Sequence, residues 1–107
     1  MPYIIETLWY PTDKAMEAVE IYFEVLKKFP PDESLANQVV PGAVTTGRQG
    51  VEAMTILDVK EGKLEATLER SRNAMSMFMG IPGIEYSVRV HLKVEEALAT
   101  VGKSLPK

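Results

Sequence analysis

Cysteine is absent from the 107-residue sequence, and histidine and tryptophan occur once each, as His91 and Trp9. The lack of cysteine excludes disulfides, thiolate catalysis and cysteine–zinc sites. A single histidine also excludes a metal site that draws several imidazole ligands from one chain. We therefore predict that the protein has no metal site and uses no cofactor.

The sequence also lacks a long apolar run and an excess of basic charge. No apolar stretch approaches the roughly 20 residues of a membrane-spanning helix, and the N-terminus, MPYIIETLWYP, lacks the features of a signal peptide. Twelve basic residues are scattered among fifteen acidic ones, for a formal net charge of −3, which argues against a phosphate-binding surface. We predict a soluble, cytoplasmic protein that binds neither nucleic acid nor membranes.

The clearest periodic pattern lies in the second half of the chain. From Lys63 to Met79, apolar residues recur at three- and four-residue steps, which predicts an amphipathic helix. Gly80 is predicted to end this helix in the left-handed conformation, and Pro82 prevents the helix from resuming. From Ile84 to Leu92 the period changes to two, which predicts a strand that packs its apolar face against the helix.

The first helix of the chain is predicted at Asp13–Phe29, and residues 32–38 form at most one loose helical turn. A short helix is predicted to begin at Val94. Three further strands are predicted at Tyr3–Tyr10, Ala43–Gly47 and Val51–Val59. The predicted core row of the first helix is Met16, Val19, Phe23 and Leu26, flanked by Ala15, Ala18, Tyr22 and Val25.

The resulting order is β-α-β-β-α-β with a short terminal helix, in a single domain spanning residues 1–107. Two right-handed crossovers would give an α+β fold with a four-stranded antiparallel sheet, the first and third strands central, and both long helices on one face. This is the ferredoxin-like arrangement.

The first strand carries apolar side chains on both of its faces. With helices on one face only, the other face would expose an adhesive patch. A second copy packed sheet against sheet would cover it, so we predict a homodimer or a higher homo-oligomer. One face of this strand holds Ile4, Leu8 and Tyr10, and the other holds Tyr3, Ile5 and Trp9.

From about Pro2 to Gly102, the chain resembles the dimeric α+β barrel superfamily, which includes small monooxygenases and isomerases. The resemblance rests on the element order, the strand-to-helix entry Leu8–Pro11, the turn Gly80–Ile84 and the tail His91–Ala97. It implies a dimer with a cleft between the sheet and the helices. It implies no particular catalytic residue.

His91 and Glu6 are the candidate catalytic residues. His91 would lie beside Arg89 on the polar face of the last strand, and an imidazole is a common general base. The same polar row would also suit a hydrogen-bonded subunit interface, which is the role we favour for His91. Glu6 lies within a strand, where burial would raise the pKa of its carboxyl and suit it to accept a proton.

Trp9, Tyr10 and Arg89 are the candidate ligand-binding residues. Trp9 and Tyr10 end the first strand, and aromatic side chains often line small-molecule clefts. They would serve equally well as core and interface anchors. Of these two roles, we favour that of core and interface anchors.

Three functions are consistent with these features. The one we favour is a homodimer that binds a small apolar or aromatic metabolite without chemistry. The second is a cofactor-free monooxygenase or isomerase of the superfamily type, in which His91 or a buried carboxylate moves a proton. The third is a module whose only role is oligomerisation.

Overall fold

A computed structural model describes residues 1–106. In this part of the chain, four strands and three α-helices follow one another with short connections, and a single 3-10 turn at Thr12–Lys14 leads into the first helix. The strands are β1 (Tyr3–Tyr10), β2 (Ala36–Gly47), β3 (Gly50–Val59) and β4 (Glu85–His91), and the helices are α1 (Ala15–Lys28), α2 (Leu64–Ser76) and α3 (Val94–Ala99).

The four strands form one antiparallel sheet in the order β2-β3-β1-β4. β1 and β3 are therefore the central strands, and the predicted α+β architecture with a four-stranded antiparallel sheet is confirmed. β1 pairs with β3 along its whole length, from Tyr3 opposite Asp58 to Tyr10 opposite Val51. On its other edge β1 pairs with β4, where Leu8 faces Tyr86.

Helices α1 and α2 both pack on the same face of the sheet. Leu8 of β1 meets Ala18 of α1, Met75 of α2 and Phe78 from the turn after α2 in one buried cluster. Ile4, in the same row of β1, is completely inaccessible to solvent. Burying a side chain of this size contributes about 1.5–3 kcal/mol, so this row of β1 is the centre of the core.

Helix α1 packs through a different row from the one predicted. Ala18, Ile21 and Val25 face the core, whereas Met16 and Phe23, predicted as core residues, are 71% and 55% exposed. Val19 and Leu26 are also exposed. Both rows follow helical steps, so periodicity does not choose between them. Packing of Ala18 into the cluster around Leu8 therefore decides which row of α1 is buried.

Strand β2 begins earlier than predicted. Residues 32–35 form a turn in which the Ser34 hydroxyl donates to the Asp32 carboxylate, and the strand starts at Ala36. Its pairing with β3 shifts register twice, between Gln38 and Val40 and again before Ala43. These irregularities accommodate Pro41, because an edge strand with a bulge tolerates a residue that has no N–H.

The end of α2 also differs from the prediction, which was wrong for Gly80. The helix ends at Ser76, and the chain continues through tight turns in which the Phe78 amide donates to the Met75 carbonyl over 3.1 Å. Such turns keep right-handed backbone angles, and Gly80 does not adopt positive φ. Gly83 does, with φ of 80°, and a Cβ there would lie 2.8 Å from Cγ of Pro11.

The short helix α3 is joined to the sheet by charged side chains. The Lys93 ammonium lies 2.8 Å from the Asp58 carboxylate, and the Lys93 amide donates to the Glu96 carboxylate over 2.9 Å. Glu96 also accepts from the N-terminal ammonium, and these hydrogen bonds lower its pKa. Among residues 1–106, no helix has both the length and the apolar character needed to cross a membrane.

We predict that Gly83→Ala lowers the free energy of unfolding by at least about 1 kcal/mol, because the added methyl group meets Pro11 and the positive φ disfavours it. The matched control is Gly80→Ala, which adds a methyl group where no atom lies within 4 Å. Urea denaturation monitored by circular dichroism measures both. An equal decrease in the free energy of unfolding in the two variants would contradict the placement of the positive-φ residue at Gly83.

Candidate functional site

A cleft of about 320 Å³ lies between the sheet and the two long helices. Its size falls at the lower end of the range for small-molecule sites, which are mostly apolar with a few placed polar groups. The floor comes from β1 and β3, and the walls come from α1 and α2. Its apolar lining includes Leu8, Val25, Ala53, Ala74, Met75 and Phe78.

A smaller space of about 120 Å³ continues the cleft toward Pro30. Glu6, Thr55 and Ala74 line both spaces, so the two form one groove with a shared middle. At the far end of the groove, the Arg70 guanidinium stacks over a phenylalanine ring at 5.6 Å and donates to the Pro30 carbonyl.

The Glu6 carboxyl lies in the shared middle of this groove. Strand pairing places Glu6 opposite Thr55 of β3 and Val88 of β4, in the row of β1 that faces the helices. Burial raises the pKa of this carboxyl above its ordinary value of 4.5, and a hydrogen bond from Ser71 of α2 offsets part of the rise. No Lys or Arg among residues 1–106 forms an ion pair with Glu6.

The protonation of the Glu6 carboxyl therefore depends on the charges and hydrogen bonds of any group that lies beside it in the cleft. When protonated, the Glu6 carboxyl can donate a hydrogen bond to a ligand; when ionised, it can accept a proton or pair with a cation. Tyr10 and Tyr22 line the same cleft from β1 and α1. Their rings supply apolar surface and their hydroxyls supply further hydrogen-bonding capacity.

The structure brings two of the predicted site residues together and separates the others from them. Glu6 and Tyr10 share the cleft. Trp9 points to the opposite face of the sheet, which we call the open face, and so do Arg89 and His91. His91 is exposed at the end of β4, opposite Tyr3.

Trp9 is held on the open face by a hydrogen bond. Its indole N–H donates to the Glu52 carboxylate over 3.0 Å, and its side chain is 37% exposed. Trp9 also borders a shallow, open depression together with Met79 and Glu85. The groups that line this depression are separate from those around Glu6.

Sequence reasoning missed Ser71, Thr55 and Tyr22. A signal for Ser71 was present: Thr67, Ser71 and Met75 repeat at four-residue steps on α2, and all three are buried. Small polar residues in such a row pack against the sheet while their hydroxyls find local partners, as Thr67 does with the Lys63 carbonyl over 2.6 Å. Within residues 1–106, no three His, Asp or Glu side chains gather to hold a metal ion.

Comparison with family models and with curated proteins gives no relative from which a function could be inferred. No protein-family model matches the chain, and no curated protein matches it. The features that bear on function are therefore the cleft, Glu6 and the open face of the sheet.

Proposed function

We propose that the protein is a homodimer that binds a small apolar or aromatic molecule in the cleft between its sheet and its long helices. The cleft itself carries this proposal. A space of about 320 Å³ with apolar walls and one half-buried carboxyl has the composition of a small-molecule site.

The fold that we propose for this function is the ferredoxin-like one, assembled as a dimeric α+β barrel. The strand order β2-β3-β1-β4, with β1 and β3 central, is compatible with it. In such a dimer, the open faces of two sheets would pack together. The open face offers apolar side chains for this contact, including Ile5 of β1 and both Met54 and Ile56 of β3.

The exposed area supports association of two copies. The chain exposes 7244 Å², about 1,300 Å² more than the about 5,900 Å² expected for a compact monomer of this mass. Obligate homodimers bury about 1,000–2,500 Å² on each partner, an area that this extended surface could supply. The radius of gyration, 15.4 Å, likewise exceeds the about 13 Å expected for a compact chain of this length.

Glu6 favours a second candidate function, the cofactor-free monooxygenase or isomerase. A buried carboxyl with a raised pKa is suited to move a proton at a bound substrate. Under this alternative, Glu6 rather than the exposed His91 would be the base. The third possibility, a module that only oligomerises, would leave the cleft without a role.

We predict that Ala74→Leu lowers the affinity for a neutral aromatic probe, 1-naphthalenemethanol, by at least about 10-fold, because the larger side chain occupies the middle of the groove. Ala66→Leu on the exposed side of the same helix is the matched control and should bind as wild type does. Isothermal titration calorimetry measures both. Equal affinities in the two variants would place the probe elsewhere.

We predict that Ile5→Asp splits the dimer, because it puts a charge into the centre of the proposed apolar contact. The control is Met16→Asp on the exposed row of α1, which should stay dimeric. Sedimentation velocity separates the 11.9 kDa monomer from the dimer, and circular dichroism checks that both variants fold. A monomeric wild type, or splitting by Met16→Asp alone, would rule out the sheet-to-sheet contact.

A further inference from the structure

We propose that the molecule taken up by the cleft is an apolar amine whose ammonium group pairs with the Glu6 carboxylate. This inference rests on the proposed binding function and adds the chemical class of the ligand. The amine would carry an aromatic or aliphatic body of a size suited to the cleft.

The first support is that no basic residue among the described residues 1–106 forms an ion pair with Glu6. Among the residues that line the groove, Arg70 is the one basic side chain, and its guanidinium is committed to the Phe29 ring and the Pro30 carbonyl. The pKa of Glu6 responds to burial and to Ser71, with no contribution from any basic group. A cationic ligand would therefore supply the positive charge that residues 1–106 do not place beside Glu6.

The second support is the composition of the walls. Tyr10, Tyr22 and Phe78 line the same cleft as Glu6, and the faces of aromatic rings attract ammonium groups, most strongly when water is excluded. A carboxylate ligand would instead be repelled by the ionised Glu6. A neutral ligand could accept a hydrogen bond from the protonated carboxyl or donate one to the ionised carboxylate, but it would lack the attraction between opposite charges.

The third support comes from the other groups that face the groove. Ser71 contributes a hydroxyl to the groove, and Asp32 at its far end is a second carboxylate. Two hydrogen bonds from Ser34 lower the pKa of Asp32, so this second carboxyl stays ionised. The nearby Arg70 guanidinium also lowers the pKa of Asp32 and offsets its charge, so Glu6 is the carboxyl of the groove to which no basic group of residues 1–106 contributes.

Binding of an amine should depend on pH in a defined direction. Only the ionised form of Glu6 pairs with an ammonium group, and burial raises the pKa of Glu6 in the free protein. The affinity for the amine should therefore fall as the pH falls through that raised pKa. Because a neutral alcohol needs no ionised carboxyl, its affinity should not fall in the same range.

The test compares three probes that share one ring system: 1-(aminomethyl)naphthalene, 1-naphthalenemethanol and 1-naphthoic acid. We expect the wild-type protein at about pH 8 to bind the amine at least about 10-fold more tightly than the alcohol, and the acid most weakly, since a charge-assisted hydrogen bond is stronger than a neutral one. At about pH 5 the preference for the amine over the alcohol should shrink.

Two variants with the same change in charge test whether the preference for the amine over the alcohol depends on Glu6. Glu6→Gln should remove the preference for the amine while the alcohol still binds, whereas Glu85→Gln, at an exposed position of β4, should keep it. Equal binding of amine and alcohol by the wild-type protein would overturn the amine assignment and leave the proposed binding function standing. Failure of all three probes to bind would overturn both, and a preference that survives Glu6→Gln would assign the ammonium group to another partner.

Discussion

Strand β1 is hydrogen-bonded along both of its edges, so its side chains can only alternate between the two faces of the sheet. This alternation places Glu6 between Ile4 and Leu8 in the row beneath the helices. A shift of one residue would bring Glu6 to the open face, but it would also expose both apolar neighbours. The buried carboxyl is therefore a consequence of the same register that builds the core.

The two long helices pack on the sheet around Glu6 through different kinds of side chain. α1 approaches the sheet at Ala18, and α2 places Thr67, Ser71 and Met75 against it. Ser71 satisfies part of the hydrogen-bonding capacity of Glu6, while the space beside it stays open as the cleft. A protein selected only for stability would replace such a carboxyl with an apolar side chain, because burying an uncompensated charge is costly. Its position beside the cleft is the reason that we propose a ligand for it.

Much of the fold could be predicted from the sequence, because strong alternation and helical steps are local signals. The bounds of β1, the order of the elements and the two central strands follow from them. The buried face of α1 could not be predicted, since two rows of apolar residues have the same spacing and only packing against the sheet selects the row with Ala18. The start of β2 was missed because proline and glycine usually mark the end of a strand, whereas here the strand continues past Pro41 and Gly42 through bulges.

The site could be predicted only in part. Glu6 and Tyr10 could be named as candidates, but apolar residues on both faces of β1 left open which face the helices cover. The contacts of α1 and α2 with Leu8 decide this, and they separate Trp9, His91 and Arg89 from the cleft. The partners of Glu6 come from distant segments, as Ser71 does, and such contacts depend on tertiary packing rather than on any local pattern.

The most direct measurement of the central claim is the titration of the Glu6 carboxyl itself. Carbon-13 NMR of the glutamate side chains, with Glu6→Gln to assign the resonance, follows its protonation with and without 1-(aminomethyl)naphthalene. The account predicts that Glu6 titrates above its ordinary value of 4.5 in the free protein and at a lower pH when the amine is bound. An ordinary pKa that the amine does not change would contradict it.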